Sequence, residues 1–445
     1  DQGRIDEAIS AHKKSISLNP NFVEAYNNLG NALNHEDKNN EAIKAYKQAI
    51  TINPNYADAY SNMGVALKDQ GKLDEAIIAF NKAISLKPDH AHAFSNMGNA
   101  FQDQGNLDEA INTYKKALLL RPNHADAHLN LSLSLLQSGS IKEGLEEYEW
   151  RHKTSKGLSR YRHFPQPKWD GKTSLKDKTI LLWCEQGIGD TINWSAYLPF
   201  VSSQSKCVIL ECQEKLVPLL SRSFPNVEVK AQDRSSDADR DDFDLHLPMG
   251  SLYKHFIDEI MENGMASSYL VADPDRVKFW RDRLHSVGKG PYIGVCWKSS
   301  VKSAYRRQHY PDMSEWLPVF KVPDVTFINL QYTDYEDDIA QVQDELGVTI
   351  HNLDDIDQYG DIDEVAALCC ALDMVVSTKA TPPMISAGVG TPTKIANWRQ
   401  SNYNTILTNP QSTSLEMIHR DTWEPWDKVF KSIADDILRF KNETT

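Results

Sequence analysis

Hydrophobic and polar positions obey one rule in the first third of this chain and another in the rest. The first third reads as helix–turn–helix units of 34 residues, marked by Pro20, Pro54, Pro88 and Pro122. Ala8, Ala42, Ala76 and Ala110 keep the same step, as do Ala25, Ala59, Ala93 and Ala127. Two glycine series, Gly30/Gly64/Gly98 and Gly3/Gly71/Gly105/Gly139, follow it too. Small residues fit where two helices cross, and proline closes a unit because it cannot continue a helix. A unit this short cannot bury its apolar face alone, so neighbours must stack into a superhelix. The spacing predicts the second helix of an incomplete unit over 1–20, complete units over 21–54, 55–88 and 89–122, and a fourth from Asn123. After Gly139 the pattern fades into "IKEGLEEYEWRHK", a charged amphipathic helix suited to ending a stack.

From Thr179 onward, apolar runs of strand length alternate with helical stretches. "TILLWCE", "CVILEC", "VEVKA" and "FDLHLP" form a first series, and "YIGVCW", "VTFINLQY", "VTIHNL", "MVVST" and "TKIANW" a second. Such alternation predicts parallel sheets covered by helices on both faces. The expected organisation is a repeat domain over 1–152, a linker over 153–178, and two Rossmann-like α/β lobes over 179–270 and 271–445. A cleft would lie between the lobes, and the last helix, "DKVFKSIADDILRFKN", is long enough to cross back and tie them together.

The strings "AYSNMGVALKDQGKLDEAIIAFNKAISLKP" and "AFSNMGNAFQDQGNLDEAINTYKKALLLRP" resemble tetratricopeptide repeats. Asn28, Asn62, Asn96 and Asn130 recur in the first helix of each unit. Stacking would align them into a ladder, and an amide, being both donor and acceptor, can pair with any extended peptide backbone. This is similar to the asparagine ladder of O-linked N-acetylglucosamine transferases. The bland alternative is local bonding within the repeat.

"LLWCEQGIGDTINWSAYLP" resembles the opening of bacterial glycosyltransferases related to family 9, the heptosyltransferase-like group with the GT-B fold, in the branch where tetratricopeptide repeats precede the transferase. "YIGVCWKSS", "RRQHYPDMSEWLPVF", "FINLQY", "IDEVAALCCALDMVVST" and "SAGVGTPT" follow in the family's order, so the resemblance covers nearly all of 165–430. It implies metal-independent transfer of a sugar from a nucleotide-activated donor, a co-substrate rather than a cofactor, to a hydroxyl. The acceptor would be a protein or peptide held by the repeats. The rivals are a lipid or polysaccharide precursor as acceptor, and a scaffold whose transferase fold has lost turnover.

Site residues follow from the loop "QGIGD". A glycine turn between strand and helix, here with Gly187 and Gly189, lets a ligand approach backbone N–H groups. The resemblance gives Asp190 the role of base for the acceptor hydroxyl; the plain reading is a helix cap. Lys298, Arg306 and Arg307 are candidates to face the donor diphosphate, where cations stabilise developing charge. Gln331 and Thr378 end strands where the nucleotide should bind. The chain departs from the family at "STKATPPMISAGVG". Lys379 stands near an expected acidic position, where it would add charge beside the diphosphate, and Met384 stands where histidine is expected and reads as packing. The departure argues against ADP-heptose as donor.

Composition narrows the picture. The 445 residues carry a formal charge of −14, against general nucleic-acid binding. One basic stretch, Arg151, Lys153, Lys156, Arg160, Arg162, Lys168 and Lys172 against Asp170 alone, reads as a solvated linker or as a contact for an acidic partner. The six cysteines form no CxxC pair and read as buried thiols of a cytoplasmic protein. No apolar run reaches membrane-spanning length. The opening "DQGRIDEAIS" enters in mid-repeat, which suggests a fragment. Asp237/Asp239, Asp355/Asp357 and Asp361/Asp363 have the spacing of a metal-binding pair, but none directly follows an apolar strand, so no metal is expected.

Overall fold

The computed structural model describes residues 2–235, 237–263, 266–299, 310–397, 414–420 and 424–444, and it divides into two compact units, Asp1–Ser159 and Arg160–Thr445. The first holds α1 (Gln2–Leu18), α2 (Val23–His35), α3 (Asn39–Ile52), α4 (Ala57–Asp69), α5 (Leu73–Leu86), α6 (Ala91–Gln104), α7 (Leu107–Leu120), α8 (Ala125–Ser138) and α9 (Ile141–Tyr148). Each repeat is closed by one contact. Gly30, Gly64 and Gly98 on the first helices lie under Tyr46, Phe80 and Tyr114 of the second helices. A Cβ would come within 2.4 Å of Tyr46 and 2.6 Å of Phe80 and Tyr114. In the fourth unit Ser132 holds the glycine position, and its hydroxyl donates to Gly144 O at 2.8 Å. Gly71, Gly105 and Gly139 take positive φ at helix ends, as left-handed caps require. Asp37 stands one period before Gly71 and adopts φ 58° without glycine's freedom.

The second unit carries two parallel sheets. β1 (Thr179–Trp183), β2 (Cys207–Cys212), β3 (Val227–Ala231) and β4 (Leu245–Pro248) are ordered β3-β2-β1-β4. β5 (Tyr292–Cys296), β6 (Thr326–Asn329), β7 (Ile350–His351), β8 (Met374–Ser377), β9 (Thr393–Asn397) and β10 (Leu415–His419) are ordered β10-β9-β8-β5-β6-β7. In β1, β2, β4, β5, β6 and β8, apolar runs buried on both faces explain the parallel pairing. β10 was not foreseen; its sequence, LEMIH, is broken by Glu416 and none of its residues is buried.

Two expectations are corrected. Residues 160–178 are not a solvated linker. Arg162 is 1% exposed and pairs with Glu211 and Asp237, and it donates to Asp233 O at 2.7 Å. Trp169 N bonds His246 O on β4 at 2.9 Å. The physical cause is Glu211, a buried carboxylate on β2 that requires buried countercharge, which Arg162 and Arg240 supply. The last helix, Asp427–Thr444, packs Val429, Phe430, Ile433 and Ile437 into the core of the second sheet, with Trp316, Val319 and Phe320. Its apolar stripe is thus committed to the second lobe, where Lys441 also pairs with Asp324.

Candidate functional site

In an open parallel sheet the ligand crevice lies at the carboxyl ends of strands where the order reverses. The first sheet reverses between β1 and β4, the second between β5 and β8. The loops leaving these reversals meet: a Cβ on Gly189, after β1, would lie 3.6 Å from Thr381 Oγ1, after β8. Around this meeting, segments belonging to the two sheets are bonded directly. Arg222 forks onto Asp363, Lys215 Nζ donates to Tyr359 O at 2.7 Å, and the N–H groups of Tyr269 and Leu270 both reach Gly388 O at 2.9 Å.

On the first side, β1 runs into Glu185 and the loop that opens the helix Ile188–Ser195. Gly187 N donates to Asp190 Oδ2 at 3.3 Å, the one half of a capping box that a glycine N-cap can make. Asp190 is therefore not the N-cap that the plain reading expected: Gly187 holds that position, and Asp190, the third helical residue, ties the loop back to the helix's first turn. Thr191 Oγ1 lies 3.2 Å from both Gly187 O and Gln213 Oε1, sharing its single proton between them, and Gln213 Nε2 donates to Gln186 O at 2.8 Å, so the loop is braced from β2's end. Neither Gly187 nor Gly189 has positive φ. What they contribute is the absence of a side chain facing the crevice. Glu185, buried to 6% exposure, escaped the sequence reading. A Cβ on Gly250, after β4, would come 2.6 Å from its Oε1. The available signal was a carboxylate directly ending the apolar run "TILLWCE".

On the second side the structure gathers Lys298, Gln331 and Thr378, but not as free ligand contacts. Gln331 is fully buried; its Oε1 accepts from the N–H groups of Trp297 and Lys298 at 3.1 and 3.0 Å, and its Nε2 donates to Lys298 O and Thr333 Oγ1. Its amide is thus saturated by backbone and a neighbouring hydroxyl, which corrects the expectation of a nucleotide contact. Lys298 is ion-paired with Asp338, which also accepts from Trp297 Nε1 at 2.8 Å, so a diphosphate would have to displace a carboxylate. Thr378 N bonds Cys296 O at 3.0 Å, and its Oγ1 is buried without a hydrogen-bond partner among the described residues. Lys379 is exposed and Met384 buried, as its packing role requires. Arg306 and Arg307 lie outside the described residues.

Two cavities adjoin these strand ends. One, about 570 Å³, is lined by Trp297, Lys298, Tyr310, Asp312 and Asp338 among others. The other, about 410 Å³, lies beyond β6 and β7 between Tyr332, Asp334, Asn352, Asp357 and Tyr359. The aspartate pairs have other employment: Asp237 pairs with Arg162, Asp355 with Arg283, Asp363 with Arg222, and Asp361 caps the helix Ile362–Ala371. Burial pushes the thiols of Cys212 and Cys296 up to about 12, which leaves them poor nucleophiles.

In the repeats, the asparagine ladder is partly knitted to itself. Asn62 Nδ2 donates to Asn27 Oδ1 at 3.0 Å and Asn130 Nδ2 to Asn99 Oδ1 at 2.9 Å. The series is thus not four equivalent amides facing a peptide; Asn28 is exposed, and Asn96 half-buried.

The fold sets a stack of tetratricopeptide repeats in the first unit ahead, in sequence, of an α/β unit of two parallel sheets. The repeat family's model matches residues 1–35, 30–71, 66–105 and 98–139. Protein FlbA of Caulobacter vibrioides is 30% identical over 298 residues, 63% of this chain and 50% of FlbA. The chain thus spans about half the length of that relative, and the likeness runs past the repeats into the α/β unit. Among solved structures, MamA is 27% identical over 36% of this chain and 93% of its own, with a TM-score of 0.32. TTC0263, a thermophilic TPR protein of Thermus thermophilus, is 24% identical over 34% and 84%, TM-score 0.32. YrrB, titled a TPR protein with an unusual peptide-binding site, is 20% identical over 34% and 78%, TM-score 0.29. No described helix is long and apolar enough to cross a membrane.

Proposed function

We propose that this chain is a docking protein whose repeats hold a segment of a partner protein, with the α/β unit as the second part of the scaffold. The observation that carries the reading is the stack itself: first helices present matching positions every 34 residues, a surface that grips an extended chain at several points. The committed states of Gln331 and Lys298 favour it over catalysis. Asn28 and Asn96 test it, because replacing them leaves the Asn62–Asn27 and Asn130–Asn99 bonds in place. A photo-crosslinking residue at position 96 should trap a partner protein in cells. The purified partner should then bind the Asn28→Ala/Asn96→Ala double variant more weakly, each lost hydrogen bond costing about 0.5–1.5 kcal/mol. Unchanged binding of that partner would overturn the reading.

A second reading, sugar transfer to the docked protein, is favoured by the two sheet reversals that meet at Gly189 and Thr381 and by the unpartnered Thr378 hydroxyl beside them. In this reading the acceptor oxygen attacks the sugar carbon, its proton passes to Asp190, and the nucleoside diphosphate leaves. A thermal-shift panel of nucleotide sugars is the discriminating measurement, since a bound donor stabilises the fold by mass action. Asp190→Asn keeps an oxygen for Gly187 N–H, so it should preserve the fold while lowering transfer about 10²–10⁴-fold. A panel in which no nucleotide sugar stabilises the chain leaves the scaffold reading standing alone.

A further inference from the structure

Where the unit 89–122 meets the next one, three nitrogen-bearing side chains converge. Arg121 Nη1 lies 2.7 Å from His92 Nε2, and His92 Nδ1 lies 3.2 Å from His124 Nε2. The remaining ring nitrogen, His124 Nδ1, accepts from Ala127 N at 3.4 Å. The protons do not fit this chain of bonds. A guanidinium only donates, so His92 Nε2 must accept and its proton sits on Nδ1. Ala127 N–H also only donates, so the His124 proton sits on Nε2. Both protons then point into the same 3.2 Å gap. Protonating either ring adds a further donor, so within the cluster one donor always lacks an acceptor and must turn to solvent or to a ligand.

Among the described residues, no side-chain oxygen is hydrogen-bonded to either ring. His90 is paired with Asp58 on α4 at 3.1 Å, and His128 with Glu147 on α9. Burial holds His124 below the usual histidine range; Asp126 on α8 opposes the shift, and Arg121 and His128 add to it. His92 is lowered below the usual histidine range by burial, then by Arg121, His124 and His90. His92 and Arg121 are exposed and His124 half-buried, so a ligand can reach all three.

We propose that His92, His124 and Arg121 form an oxyanion site that takes a carboxylate or phosphate group presented by a segment docked on the repeats. An oxyanion accepts from Arg121 and releases His92 Nε2 from that duty. The His92 proton moves to Nε2 and donates to the anion, while Nδ1 accepts from His124 Nε2–H. Every donor then has an acceptor with both rings neutral. The ligand's negative charge opposes the depression that burial, Arg121 and the neighbouring rings impose on His92; that attraction outweighs the His124 bond lost when His92 Nδ1 takes a second proton, so binding tightens as pH falls toward the depressed histidine range. The link to docking rests on the proposed function, whereas the site itself is tested with small probes.

The test is histidine-ring NMR of the full chain, with His92 and His124 assigned through His92→Gln and His124→Gln. Acetate, inorganic phosphate and a capped tri-glutamate peptide are titrated separately. The expected result is an upward move of both titration midpoints by about 0.5 unit, a roughly threefold preference for the protonated form. Arg121→Gln should abolish the move, and Arg121→Lys, which keeps charge without the fork, should restore part of it. A response to acetate and peptide assigns a carboxylate ligand, and one to phosphate alone a phosphoryl ligand. Midpoints unmoved by all three probes, or moved equally in Arg121→Gln, overturn the site. Neither result depends on whether Asn28 and Asn96 grip a partner.

Discussion

The repeats and the α/β unit are fixed by contacts of very different reach along the chain. In the repeats the deciding contacts are local: Gly98 lies under Tyr114, and Tyr114 OH donates to Asn99 at 2.6 Å, 15 residues away. In the α/β unit they are remote: Arg162 meets Glu211 49 residues on and Asp237 75 residues on, and Arg222 reaches Asp363 across 141 residues. Local contacts repeat with the sequence period and can be read from it. Remote ones bring together residues that no window of sequence shows side by side.

The largest effect that would sharpen this contrast is the loss of Arg162. Removing one partner of a buried ion pair typically costs about 3–5 kcal/mol, because the other charge is left uncompensated. Arg240 still neutralises part of Glu211, so Arg162→Ala should fall toward the lower end of that range. Hydrogen exchange read by mass spectrometry should quicken in β1, β2 and residues 160–178, and stay unchanged in α4–α7. Exchange that quickens equally in the repeats would show that the two units do not open separately.

The counterpart in the repeats is Gly98→Val. The added carbons meet the Tyr114 ring, and overpacking of this kind costs about 1–3 kcal/mol, partly offset by valine's better helix propensity than glycine's. Because stacked units stabilise one another, faster exchange should spread from α6 and α7 into α4, α5 and α8, and stop there. A change confined to α6 alone would break the picture of coupled neighbours.

Legibility followed the same division. The repeat boundaries, the crossing glycines and nine of the strands stood in the sequence, because each depends on a period or a short apolar run. β10 did not, since it is an edge strand with little apolar patterning. The site was legible as a loop and a set of strand ends, but not as chemistry. Nothing in "FINLQY" shows that Gln331 saturates itself on the Trp297–Lys298 backbone, or in "YIGVCWKSS" that Lys298 is neutralised by Asp338 forty residues away. Glu185 was hidden because a buried carboxylate looks like any other charge at a strand end. The frustrated histidines of the repeats were invisible for the same reason, as their meeting spans two units.

Thr378→Val carries the smallest expected effect and bears most directly on what the α/β unit does. Valine copies the shape of threonine without the hydroxyl, so packing beside Cys296 is kept. If the hydroxyl is buried without a partner, as it stands among the described residues, its removal should stabilise the free chain by about 1 kcal/mol. A residue kept at such a cost is best explained by a ligand that accepts or donates there. The same variant should then lose most of whatever stabilisation a nucleotide sugar confers on the parent chain. Both values come from one pair of melting experiments, with and without the nucleotide sugar. Stabilisation of the free chain together with loss of the ligand's effect would move sugar transfer ahead of the scaffold. A destabilised free chain would mean that Thr378 is bonded in solution, and its hydroxyl would no longer point to a ligand.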